Sequence, residues 1–108
     1  MGVVVCREEH PQGKTLREVV ASRVAAEMTR LTGYSVIENV ETEWGGAPAI
    51  EVISRWRHEG EIVYGRQAHF VDGDTWTMFS LSGPWASREA CDGWLADIRA
   101  SLRLRSDS

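Results

Sequence analysis

Apolar and polar residues alternate along much of the chain between residues 34 and 81. A period of two is typical of a β-strand with one buried and one exposed face. Three turn-forming segments interrupt the alternation, and they are Gly45-Gly46, Glu59-Gly60-Glu61 and Asp72-Gly73. Glycine accepts the positive φ angles of tight hairpins. The pattern therefore predicts four consecutive strands, the last three of which form an antiparallel meander from Ala47 to Leu81.

The segment before these strands has the periodicity of an amphipathic helix. Thr15 and Glu18 have the spacing of a capping box, in which each side chain binds the other residue's backbone amide. This predicts a helix from Leu16 to Leu31. Its apolar face comprises Leu16, Val20, Val24, Met28 and Leu31, and its polar face Arg17, Arg23, Glu27 and Arg30.

A second helix is predicted near the end of the chain, from about Ser87 to Leu102. Its apolar face comprises Cys91, Trp94, Leu95, Ile98 and Leu102. A β-branched run at residues 2–7 predicts one more strand, ahead of the first helix. The order β-α-β-β-β-β-α predicts an α+β fold, in which one helix covers each face of an antiparallel sheet of about five strands.

The register of the meander depends on the length of its first loop. A three-residue loop pairs Trp56 with Tyr64 and groups the apolar side chains on one face. A two-residue loop sets Ile53 opposite Arg66 instead. We predict the three-residue loop, because a buried face fixes the register of a strand.

The second turn, at Asp72-Gly73, pairs Phe70 with Thr75 in this register. The face that carries Phe70 and Phe79 is then the predicted core. The opposite face is shared with charged residues, so a helix, a partner or a second subunit is expected to lie there. Its apolar members include Ile53, Val63, Trp76 and Met78.

The composition excludes several classes of protein. The 108 residues are 43% hydrophobic and 26% charged, which is typical of one globular domain spanning 1–108, with 103–108 as a disordered tail. The net charge is −4 and the arginines are dispersed, so no basic stripe is available for nucleic acid. No segment has the length of a membrane span or the organisation of a signal peptide, which predicts a cytoplasmic protein. Cys6 and Cys91 are predicted to be unpaired thiols.

The sequence contains no recognisable catalytic or metal-binding motif, and we predict a protein that is not an enzyme and has no cofactor. Three arginines, Arg55, Arg57 and Arg66, suggest an anion site. Glu51 lies close to them in the predicted sheet, so a salt-bridge network is the favoured interpretation.

Tryptophan is unusually frequent, with five residues in 108. Trp56 and Trp94 are predicted to fill the core, whereas the others lie near the ends of elements. Aromatic anchors dominate binding at interfaces, and methionine adapts to varied partners. We therefore predict a partner-binding surface that comprises Trp76, Met78, Ile53, Val63, Trp44 and Trp85.

Three functions are compatible with these observations. The first is a non-enzymatic, chaperone- or adaptor-like module that holds an apolar segment of a protein partner on its sheet. The second is a small ligand-binding or enzymatic α+β domain, which requires a polar-lined pocket of about 300 Å³ or more near Arg66, Gln67 or His69. The third is a homo-oligomeric structural domain whose interface is an unpaired strand edge.

The sequence also resembles a known family. Cys6-Arg7-Glu8, the helix start Thr15-Leu16-Arg17-Glu18, and the segment Gly45-Gly46-Ala47-Pro48-Ala49 followed by Arg55-Trp56-Arg57 are similar to the DcrB-like group of the PsbP/Mog fold. The resemblance extends over nearly the whole chain. It implies a curved antiparallel sheet flanked by helices, with no common active site and no cofactor.

The resemblance also implies a class of function. Members of the group include cytoplasmic chaperones of the type VI secretion system, which are often dimeric and bind hydrophobic helices of toxins before export. A secreted effector is therefore one candidate partner. The group usually has a further N-terminal hairpin, and its absence here is expected to leave a strand edge unpaired. Dimerisation through this edge, domain swapping or a misassigned start codon would each account for the difference.

Overall fold

The computed structural model describes residues 2–102 and contains five strands and two α-helices. The elements are β1 (Gly2–Glu9), α1 (Leu16–Arg30), β2 (Ser35–Trp44), β3 (Ala47–His58), β4 (Glu61–Asp72), β5 (Thr75–Pro84), a 3₁₀ turn (Trp85–Ser87) and α2 (Arg88–Ser101). The predicted α+β class and element order are confirmed. The tail predicted to be disordered, 103–108, lies outside the described residues.

The sheet is antiparallel throughout and has the order β1-β5-β4-β3-β2. The first strand of the chain therefore lies beside the last, with Gly2 opposite Ser82. The edges of the sheet are β1 and β2. β2 contains a bulge, seen as a register shift between Val36 and Glu38.

The first turn of the meander contradicts the predicted register. β3 and β4 are joined by the two-residue loop Glu59-Gly60, which sets Ile53 opposite Arg66. Both loop residues have positive φ, 52° and 80°, as a tight type I′-like hairpin requires. Grouping of apolar residues was a poor guide because each face of this sheet is covered by a helix, so neither face needed to collect all of them.

The second turn is also displaced from its predicted place. The loop is Gly73-Asp74, and Phe70 pairs with Thr77 rather than Thr75. A shift of two residues leaves every side chain on its predicted face relative to its neighbour. Phe70 and Phe79 therefore still share a face.

One helix lies on each face of the sheet, as predicted. α1 packs mainly on β3 and β4, and α2 packs on β4 and β5. We call the two sides the α1 face and the α2 face. The core of the α2 face comprises Trp44, Ala49, Ala68, Phe70, Leu81 and Leu95. The core of the α1 face comprises Val20, Ile50 and Val52.

Local contacts fix the two ends of α1. The predicted capping box is present at its start, with the Glu18 amide 3.1 Å from Thr15 Oγ1 and the Thr15 amide 3.1 Å from Glu18 Oε1. Beyond its end, Tyr34 stacks on Trp56 at 6.2 Å. The Trp56 ring in turn lies against Gly65, where a Cβ would overlap it. Only glycine therefore fits at this position of β4.

Candidate partner-binding groove

The residues predicted to bind a partner do not form one exposed surface. Trp44, Trp76 and Met78 are 0%, 4% and 1% exposed, so the prediction that they line an open surface is wrong. The Trp44 ring stacks on Phe70 and Phe79 at 5.8 and 5.6 Å. These rings fill the space beneath α2.

Trp76 and Met78 lie on the α1 face, where Trp76 stacks on His69 at 5.8 Å. Val63 is on the same face and half-buried, opposite Trp56. Ile53 is on the α2 face, because it lies opposite Arg66. The predicted patch is therefore divided between two sides of the sheet, as a direct consequence of the two-residue loop.

Of the two remaining tryptophans, Trp94 contradicts its predicted environment. Trp85 is half-buried, packs edge-on against Tyr64 at 5.8 Å, and has the Arg88 guanidinium 4.8 Å above its ring. Trp94 is 57% exposed, although it was predicted to fill the core. Its neighbour Leu95 is 2% exposed and occupies the position that faces the sheet.

Leu16, Val20 and Val24 of helix α1 pack on the sheet as predicted, but the end of the helix departs from its predicted orientation. Glu27, which was predicted to face water, is only 4% exposed, and Met28, which was predicted to be buried, is 59% exposed. Glu27 forms ion pairs with Arg23, at 3.3 Å, and with Arg30. These pairs compensate the burial of its charge.

A groove lies between α1 and β2. Because α1 packs mainly on β3 and β4, part of the α1 face of β2, at Asn39 and Glu41, stays exposed. The groove has a volume of about 600 Å³, with Ile50 as its floor and Asn39 and Glu41 on its β2 side. Its α1 side is lined by Arg17, Val20, Ala21, Val24, Ala25 and Met28.

A second concavity, of about 520 Å³, continues the groove past the start of α1. The two share Arg17, Glu41 and Ile50. An ion pair between Arg17 and Glu41 bridges helix and strand at this point, with side chains 77% and 69% exposed. Exposed ion pairs of this kind contribute only about 0–1 kcal/mol, so this bridge is easily opened. We call the combined feature the α1–β2 groove.

A buried polar pair lies deeper on the α1 face. His69 is 0% exposed, and its Nε2 lies 3.1 Å from Gln67 Oε1. Burial, together with the nearby charge of Arg23, lowers the pKa of His69 to about 4. The imidazole is therefore neutral at pH 7 and is enclosed away from solvent, which suits a structural role.

A second polar cluster joins α2 to the sheet. Arg66 donates two hydrogen bonds to Glu51 Oε1, at 2.7 and 3.0 Å, and one to Asp92 at 2.9 Å. Tyr64 donates to the same Asp92 oxygen at 2.6 Å. The Glu51–Arg66 part of the predicted salt-bridge network is confirmed. Burial and the hydrogen bond to Asp92 raise the pKa of Tyr64 to about 12, so this hydroxyl stays protonated.

The cavity beside this cluster has a volume of about 210 Å³ and is lined by Arg66, Asp92 and Arg99, among others. It is smaller than the pocket that the small-ligand interpretation requires. The Arg66 guanidinium is already bound by two carboxylates, and Arg99 donates to the Glu43 carbonyl at 2.7 Å. This site therefore holds α2 in place and offers little to a ligand.

The sequence contained a signal for the α1–β2 groove that the prediction did not use. Ala21 and Ala25 lie one position after Val20 and Val24, so the apolar surface of α1 is wider than a single contact with the sheet needs. Such a width indicates that the helix presents apolar surface to something besides its own sheet. Within residues 2–102, neither helix is long and apolar enough to cross a membrane.

Comparison with known proteins identifies the family. The family model for DcrB matches residues 1–101. The crystal structure of PA94 from Pseudomonas aeruginosa, a protein of unknown function, is similar with a TM-score of 0.80 and 17% identity, over 95% of this chain and 72% of PA94. The solution structure of cyanobacterial PsbP (CyanoP) from Synechocystis sp. PCC 6803 is similar with a TM-score of 0.69 and 16% identity, over 92% of this chain and 64% of PsbP.

At these identities the two structures support the fold and nothing more about function. None of the curated protein sequences matches this chain. The family match covers nearly all of the chain and agrees with the resemblance of its motifs and with the observed sheet. The chain belongs to the DcrB family.

Proposed function

We propose that this protein is a non-enzymatic, cytoplasmic binding module with a chaperone- or adaptor-like role, and that it holds an apolar segment of a protein partner in the α1–β2 groove. The observation that carries the proposal is the apolar wall of α1, which faces open space beside a partly uncovered edge strand. Met28, the most exposed large apolar residue of that wall, is 59% exposed. The resemblance to secretion chaperones makes a secreted effector a reasonable partner.

The shape of the groove suits a helix. A helix rises about 1.5 Å per residue, so the wall from Leu16 to Met28 is about 18 Å long and matches roughly 12 residues of a partner helix. The small side chains of Ala21 and Ala25 allow the partner's backbone to approach closely. Binding of an amphipathic helix by its apolar face is a common mode of peptide recognition.

A charge in the wall of the groove tests this proposal. We expect Ala25→Glu to weaken binding of a fluorescein-labelled, 15-residue amphipathic Leu/Ala-rich peptide by about tenfold or more, because a carboxylate would be buried against apolar side chains. Fluorescence anisotropy measures the affinity. Ala26→Glu is the matched control, because Ala26 is exposed on the same helix but does not line the groove.

The expected outcome is saturable binding by the wild type and by Ala26→Glu, and much weaker binding by Ala25→Glu. Equal affinity of the two variants would show that the peptide binds elsewhere. Absence of saturable binding to the wild type would remove the support for a helix-binding role.

A specific observation favours homo-oligomerisation as a second candidate. β1 is an edge strand, and its residues Val3, Val4 and Val5 are 46%, 58% and 52% exposed. Antiparallel pairing of two copies about Val4 would place Val3 of one copy opposite Val5 of the other. Such pairing would satisfy the exposed backbone edge and bury apolar side chains on both faces of the joined sheet.

Light scattering tests the β1 edge. If β1 forms the interface, we expect the wild type to have twice the 12.1 kDa mass of one chain and Val4→Lys to have the mass of one chain, because an edge lysine opposes strand pairing. Val4→Thr keeps a β-branched residue without the charge and is expected to remain dimeric. A wild type with the mass of one chain at all concentrations would contradict this candidate.

A further inference from the structure

Arg55 and Arg57 line a cavity of about 260 Å³ at the end of β3. Its other lining residues include Ser35 and Ile62. In the observed register Ser35 lies opposite Arg55, and Ile62 lies opposite Arg57, so these four side chains belong to the α2 face. Trp56 borders the cavity, but its ring lies on the α1 face, where it stacks on Tyr34. The cavity therefore has two cationic groups, one hydroxyl and an apolar side.

Within residues 2–102, neither guanidinium group forms an ion pair or a hydrogen bond with another residue. Four other arginines form ion pairs with carboxylates there, and they are Arg17, Arg23, Arg30 and Arg66. Arg88 lies over the Trp85 ring, and Arg99 donates to a backbone carbonyl. The network with Glu51 predicted from the sequence is confirmed for Arg66 alone and leaves Arg55 and Arg57 out.

Within the described part of the chain, the positive charges of Arg55 and Arg57 are not balanced by a nearby carboxylate. Arg55 and Arg57 are two residues apart on the same face of β3. Their Cα atoms are therefore about 7 Å apart, and their like charges repel each other. Glu38 lies on the same face of β2, opposite Ile53, yet it forms no ion pair with either. Arg55 and Arg57 therefore place two neighbouring positive charges on one face without a carboxylate of the described residues between them.

We propose that Arg55 and Arg57 bind a small oxyanionic ligand, whose charged group is a phosphate or a carboxylate. A guanidinium group donates paired hydrogen bonds that match the oxygens of either group. The Ser35 hydroxyl supplies a further donor, and Ile62 contacts the organic part of the ligand. At about 260 Å³ the cavity is below the roughly 300 Å³ of a typical ligand pocket, so it suits only a small anion.

This site is separate from the α1–β2 groove, because the two lie on opposite faces of the sheet. It does not rest on the proposed helix-binding role. The helix-binding role and the anion site are therefore tested by separate experiments.

An NMR titration tests the anion site on the full chain. Sodium phosphate and, separately, sodium acetate replace sodium chloride at constant ionic strength, and ¹H–¹⁵N spectra follow the backbone amides. We expect saturable shifts centred on Ser35, Arg55, Arg57 and Ile62. Saturation by phosphate or by acetate identifies which oxyanion the site prefers.

Variants locate the binding. Arg57→Gln is expected to weaken the anion affinity by about tenfold or more, since it removes a charge-assisted hydrogen bond. Arg7→Gln is the control, because Arg7 is an exposed arginine of β1 outside this cavity. Spectra that do not saturate with either ion, or equal loss of affinity in both variants, would overturn the proposal.

Discussion

Replacing Arg66 with Met is expected to lower the free energy of unfolding by about 3 kcal/mol. In the polar cluster that joins α2 to the sheet, Arg66 contacts both carboxylates, those of Glu51 and Asp92. Glu51 is 5% exposed, so the substitution would leave a buried carboxylate with only the Trp44 indole, at 3.0 Å, to balance it. Burial disfavours the Arg66 cation, but the hydrogen bonds to the two carboxylates outweigh it and raise its pKa.

Denaturation by urea measures this loss, and two further variants interpret it. Arg66→Met combined with Glu51→Gln is expected to recover much of the stability, because glutamine removes the unpaired charge and still accepts from Trp44. Arg88→Met removes an exposed arginine above Trp85 and is expected to cost less than about 1 kcal/mol. If Arg66→Met cost no more than Arg88→Met, or if the double variant recovered nothing, the buried charge would not be the cause.

Acidification from pH 6.5 to pH 4 is expected to remove about 3 kcal/mol of stability through His69 alone. Burial lowers the pKa of His69 from 6.5 to about 4 in the folded protein. Above pH 6.5 the side chain is neutral in both states, and its contribution to stability is fully present. Between pH 6.5 and 4 the unfolded chain binds the proton first, so this contribution falls with the pH. Below pH 4 both states are protonated and no more is lost.

The dependence of stability on pH, and not its absolute value, isolates this effect. Urea denaturation of the wild type is compared at pH 7 and pH 4.5 with that of His69→Gln, which cannot titrate. We expect His69→Gln to lose most of the change between the two pH values. His58→Gln replaces an exposed histidine and is expected to keep the wild-type change. An equal change in the wild type and in His69→Gln would exclude His69 as its source.

Most of the fold could be predicted because its signals are local. The capping box of Thr15 and Glu18 determines the start of α1 within four residues of sequence. The pair Gly45-Gly46 supplies two positive φ angles for the first hairpin. These features depend on neighbours in the chain, so one sequence is enough to read them.

The register of β3 against β4 could not be obtained from apolar grouping, because both faces of this sheet are buried beneath helices. The geometry of the turn between β3 and β4 determines this register. Glu59 adopts a φ of 52°, which is unusual for a residue with a side chain, and thereby completes a two-residue loop with Gly60. A single-residue slip was enough to move Ile53 away from Trp76 and Met78.

The candidate site depended on the orientation of α1, which is a tertiary property. Glu27 was placed in water because charged residues are almost never buried unless they are paired. Arg23 and Arg30 provide that pairing from the adjacent turns of the same helix. The helix can therefore turn Glu27 inward and Met28 outward, where Met28 lines the α1–β2 groove.

The position of β1 has a consequence for the order in which the chain folds. Every other neighbouring pair of strands is joined by a two-residue hairpin, whereas Gly2 meets Ser82 across about 80 residues of chain. Contacts between distant parts of a sequence are slow to form, since a long loop must close before they contribute. β1 is made first during synthesis, yet it has to wait for β5 before it can pair. We therefore expect it to join the sheet last, to exchange its amide protons earliest, and to be the strand that two copies of the chain exchange most readily.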